Sequence, residues 1–538
     1  MRKIRGNFIL MTVGLLTLAP LFVTACQKEE EIKGMRLVAE GFGLGNKAAV
    51  EDNAVYWVEG ETLRINGVDK VVQVSGSQAY VVDVADPADD IYRALYPNSL
   101  NASADLTDND VTVAIPRVYV YRVSNGRQAL DLPMAAYGSA SGGSLMFKHL
   151  TAAITVQVVN NFGIDIMVDS IVVVSNSYQI SGSRSITLGN DIAVEPNGSP
   201  ALANDKKVVV RFNGGTSLTV ASGETARVQV PVLPVGEDNK FTITVATHNV
   251  DEPLMQYTFS RTQGTGGALA RRQMAYAPAS FGGVFTVSAG GDKVRFAPGN
   301  LQYYCSTSAP QWRFALHQYD NATFNIDNYK SNTGQWIDLF GFATSGYNNK
   351  NPYYKSTTLS YYSPASGTND IKETEYDWGW HNTIVNGGNT NHLWHVLSAS
   401  EWNYLIVNRS TKIGIASVRK LNTVPVTTIH GLVILPDDWN NPLNRSFVSG
   451  VGMFSQNSYT EEEWAKMEVA GAVFLPSNGY RTPGERASEG YGYYWSEQFN
   501  RSDNLASYIT FNTSAISSVT PGYTICRGLS VRLVRDVE

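Results

Sequence analysis

The C-terminal half contains a pair of histidines whose spacing could serve metal binding. His392 and His395 lie three positions apart in the sequence HLWH, and two ligands of a zinc ion can have such a spacing. No third ligand follows in a metal-binding pattern, so we interpret the pair as ordinary surface or core residues and predict no metal. The sequence also contains no G-x-S-x-G nucleophile elbow. We therefore predict no catalytic residue, no cofactor and no enzymatic activity.

A tyrosine-rich stretch is the main candidate for a binding surface. Residues 340–367 read FGFATSGYNNKNPYYKSTTLSYYSPASG, and EYDWGWHN follows at residues 375–382. Long loops on a compact scaffold often carry function, and tyrosine and tryptophan offer stiff amphipathic contact area. We predict that a surface glycan or protein contacts seven side chains, with a core position as the alternative for each of them: Tyr347, Tyr353, Tyr354, Tyr361, Tyr362, Trp378 and Trp380.

The N-terminus predicts export and lipidation. Three basic residues precede an apolar run that ends in small residues before Cys26, which is the layout of a secretory signal peptide over residues 1–25. The sequence VTAC resembles a bacterial lipobox, which implies acylation of the Cys26 thiol. Two or more acyl chains suffice for stable attachment to an outer membrane. The alternative, a membrane-spanning anchor, is disfavoured because Pro20 interrupts the run. An acidic linker follows over residues 26–34. Its sequence QKEEE resembles the tag that sends some bacterial lipoproteins to the outer face of the outer membrane, and a plain solvated linker is the alternative.

Two further cysteines remain after lipidation of Cys26. Export permits a disulfide between Cys305 and Cys526. The alternative is a pair of buried thiols that are not bonded to each other.

Composition and charge indicate a large secreted globular protein. The chain has 538 residues and a formal net charge of −6, and removal of the signal peptide changes that charge to −9. No basic cluster with interleaved aromatic residues is present, so nucleic acid is excluded as a partner.

The elements that position these residues fall into two different halves. Residues 35–281 consist of short runs rich in valine, isoleucine and threonine, separated by turn residues, and this pattern predicts antiparallel β-sandwiches. We predict one sandwich over residues 35–144 and a second over residues 145–281. Nine of the ten tryptophans lie at or after Trp312, so residues 284–538 form a domain of another type.

The C-terminal half is predicted to be an α+β domain. SASE at residues 398–401 and TEEE at residues 460–463 each match a capping box at a helix start. GLVILPDD at residues 431–438 and GAVFLPSN at residues 471–478 each read as a buried strand that ends at a Leu-Pro pair. The final segment GLSVRLVRD is predicted to be a strand with Leu529, Val531 and Leu533 on one face. The fold class is therefore mainly β, with two tandem sandwiches followed by an α+β domain.

The first half resembles the fimbrillin family of pilus subunits. The resemblance rests on the order and spacing of short segments: WVEGETLRIN at 57–66, ALYP at 94–97, LPMA at 132–135 and FKHL at 147–150. It implies export as a lipoprotein, removal of the first strand by a protease, and assembly with other pilus subunits by donor-strand complementation. The candidate first strand is Met35–Phe42, and the candidate cleavage residues are Lys47 and Arg36. Retention of the strand is the alternative.

The second half resembles the C-type-lectin-like domains that are related to formylglycine-generating enzymes. The segments behind this are FAPGNLQY at 296–303, WIDLFG at 336–341, FLPSNGYR at 474–481, GYYWS at 492–496 and RGLSVR at 527–532. The resemblance implies a compact fold with paired termini and functional loops. Cys305 and Cys526 are not spaced like the copper-binding cysteines of the enzymes.

Together the two halves predict a fimbrial tip adhesin. A pilin that donates a strand needs a free C-terminal segment, whereas GLSVRLVRD is expected to be built into its own domain. The alternative is an outer-membrane surface lipoprotein that binds glycan or protein without polymerising.

Overall fold

A computed structural model provides the structure of the chain. It describes residues 34–40, 57–76, 78–124, 127–139, 143–199, 202–212, 218–322, 326–488 and 490–537. The predicted lipidation site Cys26 and cleavage site Lys47 lie outside these residues. Within them, none of the helices is both long enough and apolar enough to cross a membrane. The described chain is mainly β, as the sequence predicts.

The N-terminal unit is built around one eight-stranded sheet. Its strands follow the order β3-β2-β6-β10-β11-β1-β5-β4. The strands before residue 150 are β1 (Met35–Ala39), β2 (Thr62–Ile65), β3 (Val68–Val71), β4 (Gln73–Ser75), β5 (Gln78–Val81), β6 (Ile91–Tyr96), β7 (Asp110–Ile115), β8 (Val118–Ser124), β9 (Arg127–Ala129), β10 (Met134–Ser139) and β11 (Ser144–His149).

The second unit continues with long strands that enclose a valine-rich core. Strand β12 is central in one sheet, between β17 and β20, and β13 pairs with β15, β16 and β18 in the other. The strands of this unit are β12 (Ala152–Asn161), β13 (Ile166–Ser175), β14 (Gly182–Thr187), β15 (Lys207–Phe212), β16 (Leu218–Val220), β17 (Thr225–Val232), β18 (Lys240–Asn249), β19 (Gln256–Gly264) and β20 (Met274–Gly282).

Strand pairing divides the two units differently from the predicted boundary at residues 144 and 145. Strand β11 belongs to the first sheet, where it pairs with β10 and β1. Strands β7 and β8 leave that sheet and pair with β14 and β15 of the second unit. Strand pairing therefore places the boundary near residue 150, with an exchange across it in which β7, β8 and β9 join the sheets of the second unit. The hydrophobic pattern indicates a strand but not its partner, so the exchange has no local signal.

The C-terminal domain is α+β, as predicted. The α-helices among its described residues are α1 (Trp378–His381), α2 (Ala399–Asn403) and α3 (Glu461–Val469). Its strands are β21 (Phe285–Thr286), β22 (Lys293–Phe296), β23 (Leu301–Tyr304), β24 (Gln311–Phe314), β25 (Trp336–Ile337), β26 (His395–Val396), β27 (Ile413–Lys420), β28 (Thr427–Ile434), β29 (Ser458–Thr460), β30 (Val473–Pro476), β31 (Tyr480–Arg481), β32 (Arg486–Ala487), β33 (Gly492–Asn500), β34 (Leu505–Phe511), β35 (Ile516–Thr524) and β36 (Leu533–Asp536).

Local sequence signals account for several elements of this domain. Helix α2 begins after Ser398 and helix α3 after Thr460, and each start is a complete capping box. The two Leu-Pro segments form β28 and β30, which lie side by side as antiparallel neighbours. Strand β36 pairs with β22 on one side and with β26 on the other.

The C-terminal domain is joined to the second sandwich by a continuous core. Met255 and Tyr257 of the sandwich belong to the same buried cluster as Trp312 and Trp394 of the domain. The Asn249 side chain donates to the backbone carbonyl of Asn386 across the junction, at 3.0 Å. The two units are therefore packed together rather than connected by a loose linker.

Candidate functional site

The tyrosine-rich loop is anchored to the domain by internal hydrogen bonds. Lys350 donates to the carbonyl of Ser360 at 3.0 Å, and the Tyr354 hydroxyl donates to the carbonyl of Asn349 at 2.6 Å. The Arg481 guanidinium, which is fully buried, donates to the carbonyls of Leu339 and Tyr354. The first two hydrogen bonds lie within the loop, and those of Arg481 attach it to β31.

Two of the seven predicted contact residues are core residues, which corrects the prediction for them. The side chains of Tyr362 and Trp378 are completely buried. Tyr362 lies so close to Gly341 that a β-carbon there would approach its ring to 2.2 Å. Trp378 packs near Phe340 and Phe342. Both rings fill the core beneath the loop, so neither can contact a ligand.

The other predicted aromatic residues reach the surface. Tyr347 and Tyr361 are exposed, with 40% and 46% of their surface accessible. Tyr353 and Tyr354 are half-buried and contact each other edge to face. Trp380 is half-buried and stacks on His392, with ring centroids 4.7 Å apart.

A cleft of about 470 Å³ opens beside Tyr347. Both predicted segments contribute to it, together with β23 and β24. Its lining residues are Tyr303, Pro310, Gln311, Trp312, Ser345, Gly346, Asn351, Pro352, His381, Asn382, Thr383 and Val385. The cleft therefore combines aromatic walls with uncharged polar groups.

Two amide side chains in the cleft use their N–H groups within the protein. Asn382 donates from Nδ2 to the carbonyls of Ser345 and Trp378, at 2.8 and 3.0 Å. Asn351 donates from Nδ2 to the Tyr354 hydroxyl at 3.1 Å. Among the described residues, no donor contacts the amide oxygen of either side chain. The cleft thus retains two hydrogen-bond acceptors that suit a ligand rich in hydroxyl groups.

His381 lies at the rim of the cleft. Its Nδ1 contacts the Glu375 carboxylate, and its ring lies 5.5 Å from the ring of Tyr347. The carboxylate fixes the orientation of the imidazole and leaves Nε2 as the group that can address a ligand.

Asp377 connects the second aromatic segment to the strand beneath it. Its carboxylate accepts hydrogen bonds from the backbone of Gly379 at 3.1 Å, which caps helix α1, and of Val396 at 3.0 Å. Burial raises the pKa of Asp377 to about 6. These two hydrogen bonds connect the start of helix α1, near the rim of the cleft, to β26.

The two histidines of HLWH have separate structural roles. His392 is exposed on Trp380, whereas His395 is buried in β26, with Nε2 3.3 Å from the Asp536 carboxylate. Burial disfavours the charged imidazole, but the hydrogen bonds to Asp536 and to the carbonyl of Val396, together with the charge of Asp377, outweigh burial and raise the pKa of His395. Glu373 also lies near this pair, and the three could approach one cation. The Lys372 ammonium already acts on Asp536 and His395, so we assign this cluster to an ion-pair network.

The two cysteines are free thiols in the structure, so the bridge between Cys305 and Cys526 is not formed. Cys305 is buried at the end of β23, and burial raises the pKa of its thiol to about 11. Cys526 is half-buried after β35, and burial raises its pKa as well. Both thiols are therefore protonated at neutral pH, a form that is poorly suited to metal binding.

The candidate cleavage residue Arg36 lies within the first strand. Its backbone N–H donates to the carbonyl of Gly143 at 2.8 Å, and its position pairs with Ser144 and Tyr80. Its side chain is exposed. A protease could reach the backbone at Arg36 only if β1 first separated from the sheet.

Sequence reasoning does not place the β23–β24 residues among the candidate contacts. Tyr303 and Trp312 face the cleft although little of either side chain is accessible, and Gln311 is exposed at the rim. Tyr303 belongs to a segment that carries the wider resemblance, and the proximity of all three residues to the tyrosine loop depends on the tertiary fold.

Replacement of Arg481 by leucine should loosen the tyrosine loop. Its loss would leave the buried carbonyls of Leu339 and Tyr354 without these donors, at a cost of about 1–3 kcal/mol for each group. We expect faster amide hydrogen exchange across residues 345–362 and little change in β12–β20.

The matched control for this variant is R501L. Arg501 is exposed and donates to the carbonyl of Ala365 at the end of the loop, at 2.6 Å, so its loss leaves a carbonyl that water can reach. We expect protection across residues 345–362 to stay near the wild-type level in R501L. Equal protection in the wild type and R481L would contradict the anchoring role.

No protein-family profile and no curated protein matches this sequence. Solved structures align with it only distantly. A candidate cell adhesion protein from Bacteroides ovatus has 11% identity and a TM-score of 0.26, with 46% of this chain and 92% of the other covered. A fimbrial protein from Bacteroides vulgatus has 11% identity and a TM-score of 0.20, with 39% and 80% covered. A fimbrial protein from Bacteroides ovatus has 10% identity and a TM-score of 0.19, with 94% and 99% covered. Since these scores lie well below 0.5, the function proposed next rests on the chain's own residues.

Proposed function

We propose that the chain is a cell-surface fimbrial tip adhesin without enzymatic activity. In this proposal the precursor is lipidated on Cys26, loses its first strand, accepts a strand from another pilus subunit and presents the cleft domain outward. The observation that carries the proposal is the position of β36, the last strand, in the interior of a sheet.

Strand β1 has the geometry of a replaceable strand. It lies between β11, to which it is parallel, and β5, to which it is antiparallel. Leu37 is its one fully buried residue and packs into the core of the first sheet. Removal of β1 would expose an apolar groove between two unpaired strand edges, which another strand can fill by β-augmentation.

The C-terminal strand is not available for donation. Val534 pairs with Phe296 on one side and with His395 on the other. Leu533 and Val534 are buried, and Asp536 is held by the buried His395. Release of β36 would therefore open the centre of the domain. A subunit that can accept but not donate a strand belongs at the end of a filament.

The strand that closes the second sandwich is also committed, although it lies at the edge of its sheet. Strand β20 pairs with β12 along nine positions and leads to β21 through Gly283 and Val284. A β-carbon at Gly283 would come within 2.5 Å of Pro436, so this crossing is closely packed against the C-terminal domain. Neither β20 nor β36 can act as a loose donor.

A surface glycan or protein is the proposed ligand of the cleft. The free amide oxygens of Asn351 and Asn382 and the aromatic side chains around them fit a hydroxyl-bearing ligand. Tyr347 and His381 at the rim add contacts that a larger ligand could reach.

One observation favours a second candidate, an outer-membrane lipoprotein that keeps its first strand. Glu40, directly after β1, contacts the Arg271 guanidinium and accepts from the backbone N–H of His149 at 2.7 Å. Both charged side chains are largely shielded from solvent, so this contact fastens β1 to the second sandwich. In this candidate the chain binds its ligand without polymerising.

The two candidates predict different N-termini for the protein recovered from cell surfaces. Replacement of Cys26 by alanine should abolish surface display in both, as measured by whole-cell antibody binding. In wild-type cells, a tip subunit should begin after the first strand, whereas an anchored lipoprotein should begin at acylated Cys26. Retention of β1 in filament-associated protein would contradict the tip proposal, and full display of the C26A variant would contradict both candidates.

A further inference from the structure

A second aromatic surface lies on the sheet formed by β33, β34 and β35 and includes none of the predicted contact residues. The inner face of this sheet is buried through Tyr494, Ile509 and Phe511. The outer face carries tyrosines from all three strands and from the flanking hairpin. We call this set the tyrosine face: Tyr480, Tyr491, Tyr493, Tyr508 and Tyr523, with Arg527 at its edge.

The rings of the tyrosine face hold one another in place while they remain partly exposed. Tyr493 stacks on Tyr523 with ring centroids 5.5 Å apart and on Tyr491 with centroids 6.1 Å apart. Tyr508 lies 4.8 Å from Tyr523. Tyr491 is 41% exposed and the other rings are half-buried. The face is thus pre-organised, which lowers the entropic cost of binding.

Arg527 supplies a positive charge at this face. Its guanidinium carbon lies 4.5 Å from the ring centre of Tyr480 and 5.3 Å from that of Tyr523. In the part of the chain that the structure describes, no carboxylate forms an ion pair with Arg527. Burial raises the pKa of Tyr523, and the neighbouring groups that act on it are other phenols and Arg527. The charge of Arg527 is therefore not neutralised within the described protein.

We propose that the tyrosine face binds an anionic glycan, a polysaccharide whose pyranose rings carry carboxylates. The polarised C–H bonds of a pyranose face are attracted to the negative face of an aromatic ring. A carboxylate on that ring could accept two parallel hydrogen bonds from the Arg527 guanidinium. Stacking and charge would then act on the same sugar unit.

The size of the face favours a glycan over a protein partner. An aromatic side chain can bury about 150–250 Å², and the tyrosines of this face are already about half buried. The surface area that the five tyrosines still have available for burial is therefore less than the roughly 800 Å² per partner that a stable protein interface requires. A row of two or three sugar rings needs less area and matches the stacked tyrosines.

The test uses polygalacturonate as the anionic probe and dextran as the neutral control. Affinity electrophoresis of the full chain without its lipid should show retardation by polygalacturonate and none by dextran. R527Q, which keeps the rings but removes the charge, should weaken the apparent affinity roughly tenfold, as expected for loss of a charge-assisted contact. Y491A removes the most exposed ring and should weaken affinity severalfold. R261Q, which removes a solvent-exposed arginine of β19 in the second sandwich, should leave it unchanged.

A thermal unfolding measurement should show that R527Q and Y491A remain folded, since neither side chain is in the core. The proposal is overturned if polygalacturonate does not retard the chain, if dextran retards it equally, or if folded R527Q binds as tightly as the wild type. Binding to an immobilised protein that R527Q abolishes, without any binding to polygalacturonate, would assign the face to a protein partner and also overturn the proposal. Polygalacturonate binding is measured on the isolated chain, so its outcome does not depend on whether the chain lies at the tip of a filament.

Discussion

A chain that begins after Lys47, and therefore lacks β1, should lose most of the stability of its first sandwich. Leu37 contacts the core that contains Phe147 and Val81, and removal of one buried leucine side chain alone costs about 2–5 kcal/mol. The truncation also leaves the edges of β11 and β5 without their partner. We expect a separate unfolding transition for the first unit at a much lower temperature, measured by differential scanning calorimetry.

An added peptide that carries the sequence of residues 34–42 should restore the transition. The peptide can pair with both open edges and place its leucine in the vacated position of Leu37. A peptide with aspartate at that position should fail, because it would bury a charge in the same core. Unchanged stability of the truncated chain, or equal rescue by both peptides, would contradict the role assigned to β1.

Replacement of Arg532 by methionine should lower the free energy of unfolding of the C-terminal domain by about 3–5 kcal/mol, the range for loss of one partner from a buried charged network. Arg532 is fully buried and donates to Gln318 at 3.0 Å and to Asn300 at 3.3 Å. It also lies within electrostatic reach of Glu468 in α3 and Tyr257 in the second sandwich. Denaturant unfolding followed by tryptophan fluorescence would measure the loss.

The pH dependence of stability supplies a check on the same network. Burial raises the pKa of Glu468 from its ordinary value of 4.5 to about 7. The folded chain therefore keeps a proton that the unfolded chain releases between these pH values, so the contribution of Glu468 to stability falls as pH rises from about 4.5 to 7. Arg532 lowers the pKa of Glu468, so R532M should raise that pKa further and extend the fall to higher pH. R532M/E468Q should remove the Glu468 component. If R532M lowered the free energy of unfolding at pH 7 by less than about 1 kcal/mol, this would contradict the assignment of Arg532 to a buried charged network.

The features that sequence predicts well are those that depend on neighbouring residues. The capping boxes at Ser398 and Thr460 satisfy backbone N–H groups within one turn, so four residues suffice to recognise them. The alternation in GLSVRLVRD predicts a strand over the whole segment, and the structure has one only over its last four residues, as β36, whereas Gly528, Leu529 and Ser530 form isolated bridges. The same alternation does not predict that Ser530 and Arg532 are also buried, because their burial depends on other elements that cover the second face.

The features that sequence misses depend on contacts between distant segments. Tyr361 and Tyr362 are adjacent in a polar loop, yet one ring is exposed and the other fills the space beside Gly341. The exchange of β7 and β8 between the two sandwiches requires partners that are far away along the chain. The tyrosine face arises when β33, β34 and β35 align, so its members are scattered from Tyr480 to Tyr523 in the sequence. Amino-acid composition does not indicate which of two adjacent rings is buried, which strands pair, or which tyrosines meet on one face.

Labelling of intact filaments tests the central claim most directly. Gold-conjugated antibodies against the C-terminal domain would be applied to purified filaments and counted by electron microscopy, with antibodies against the shaft subunit as the reference. A chain that accepts a strand at β1 and keeps β36 in its own sheet should be labelled at filament ends, one cluster for each filament. Regular labelling along the shaft would show that the chain also donates a strand, which would contradict the account.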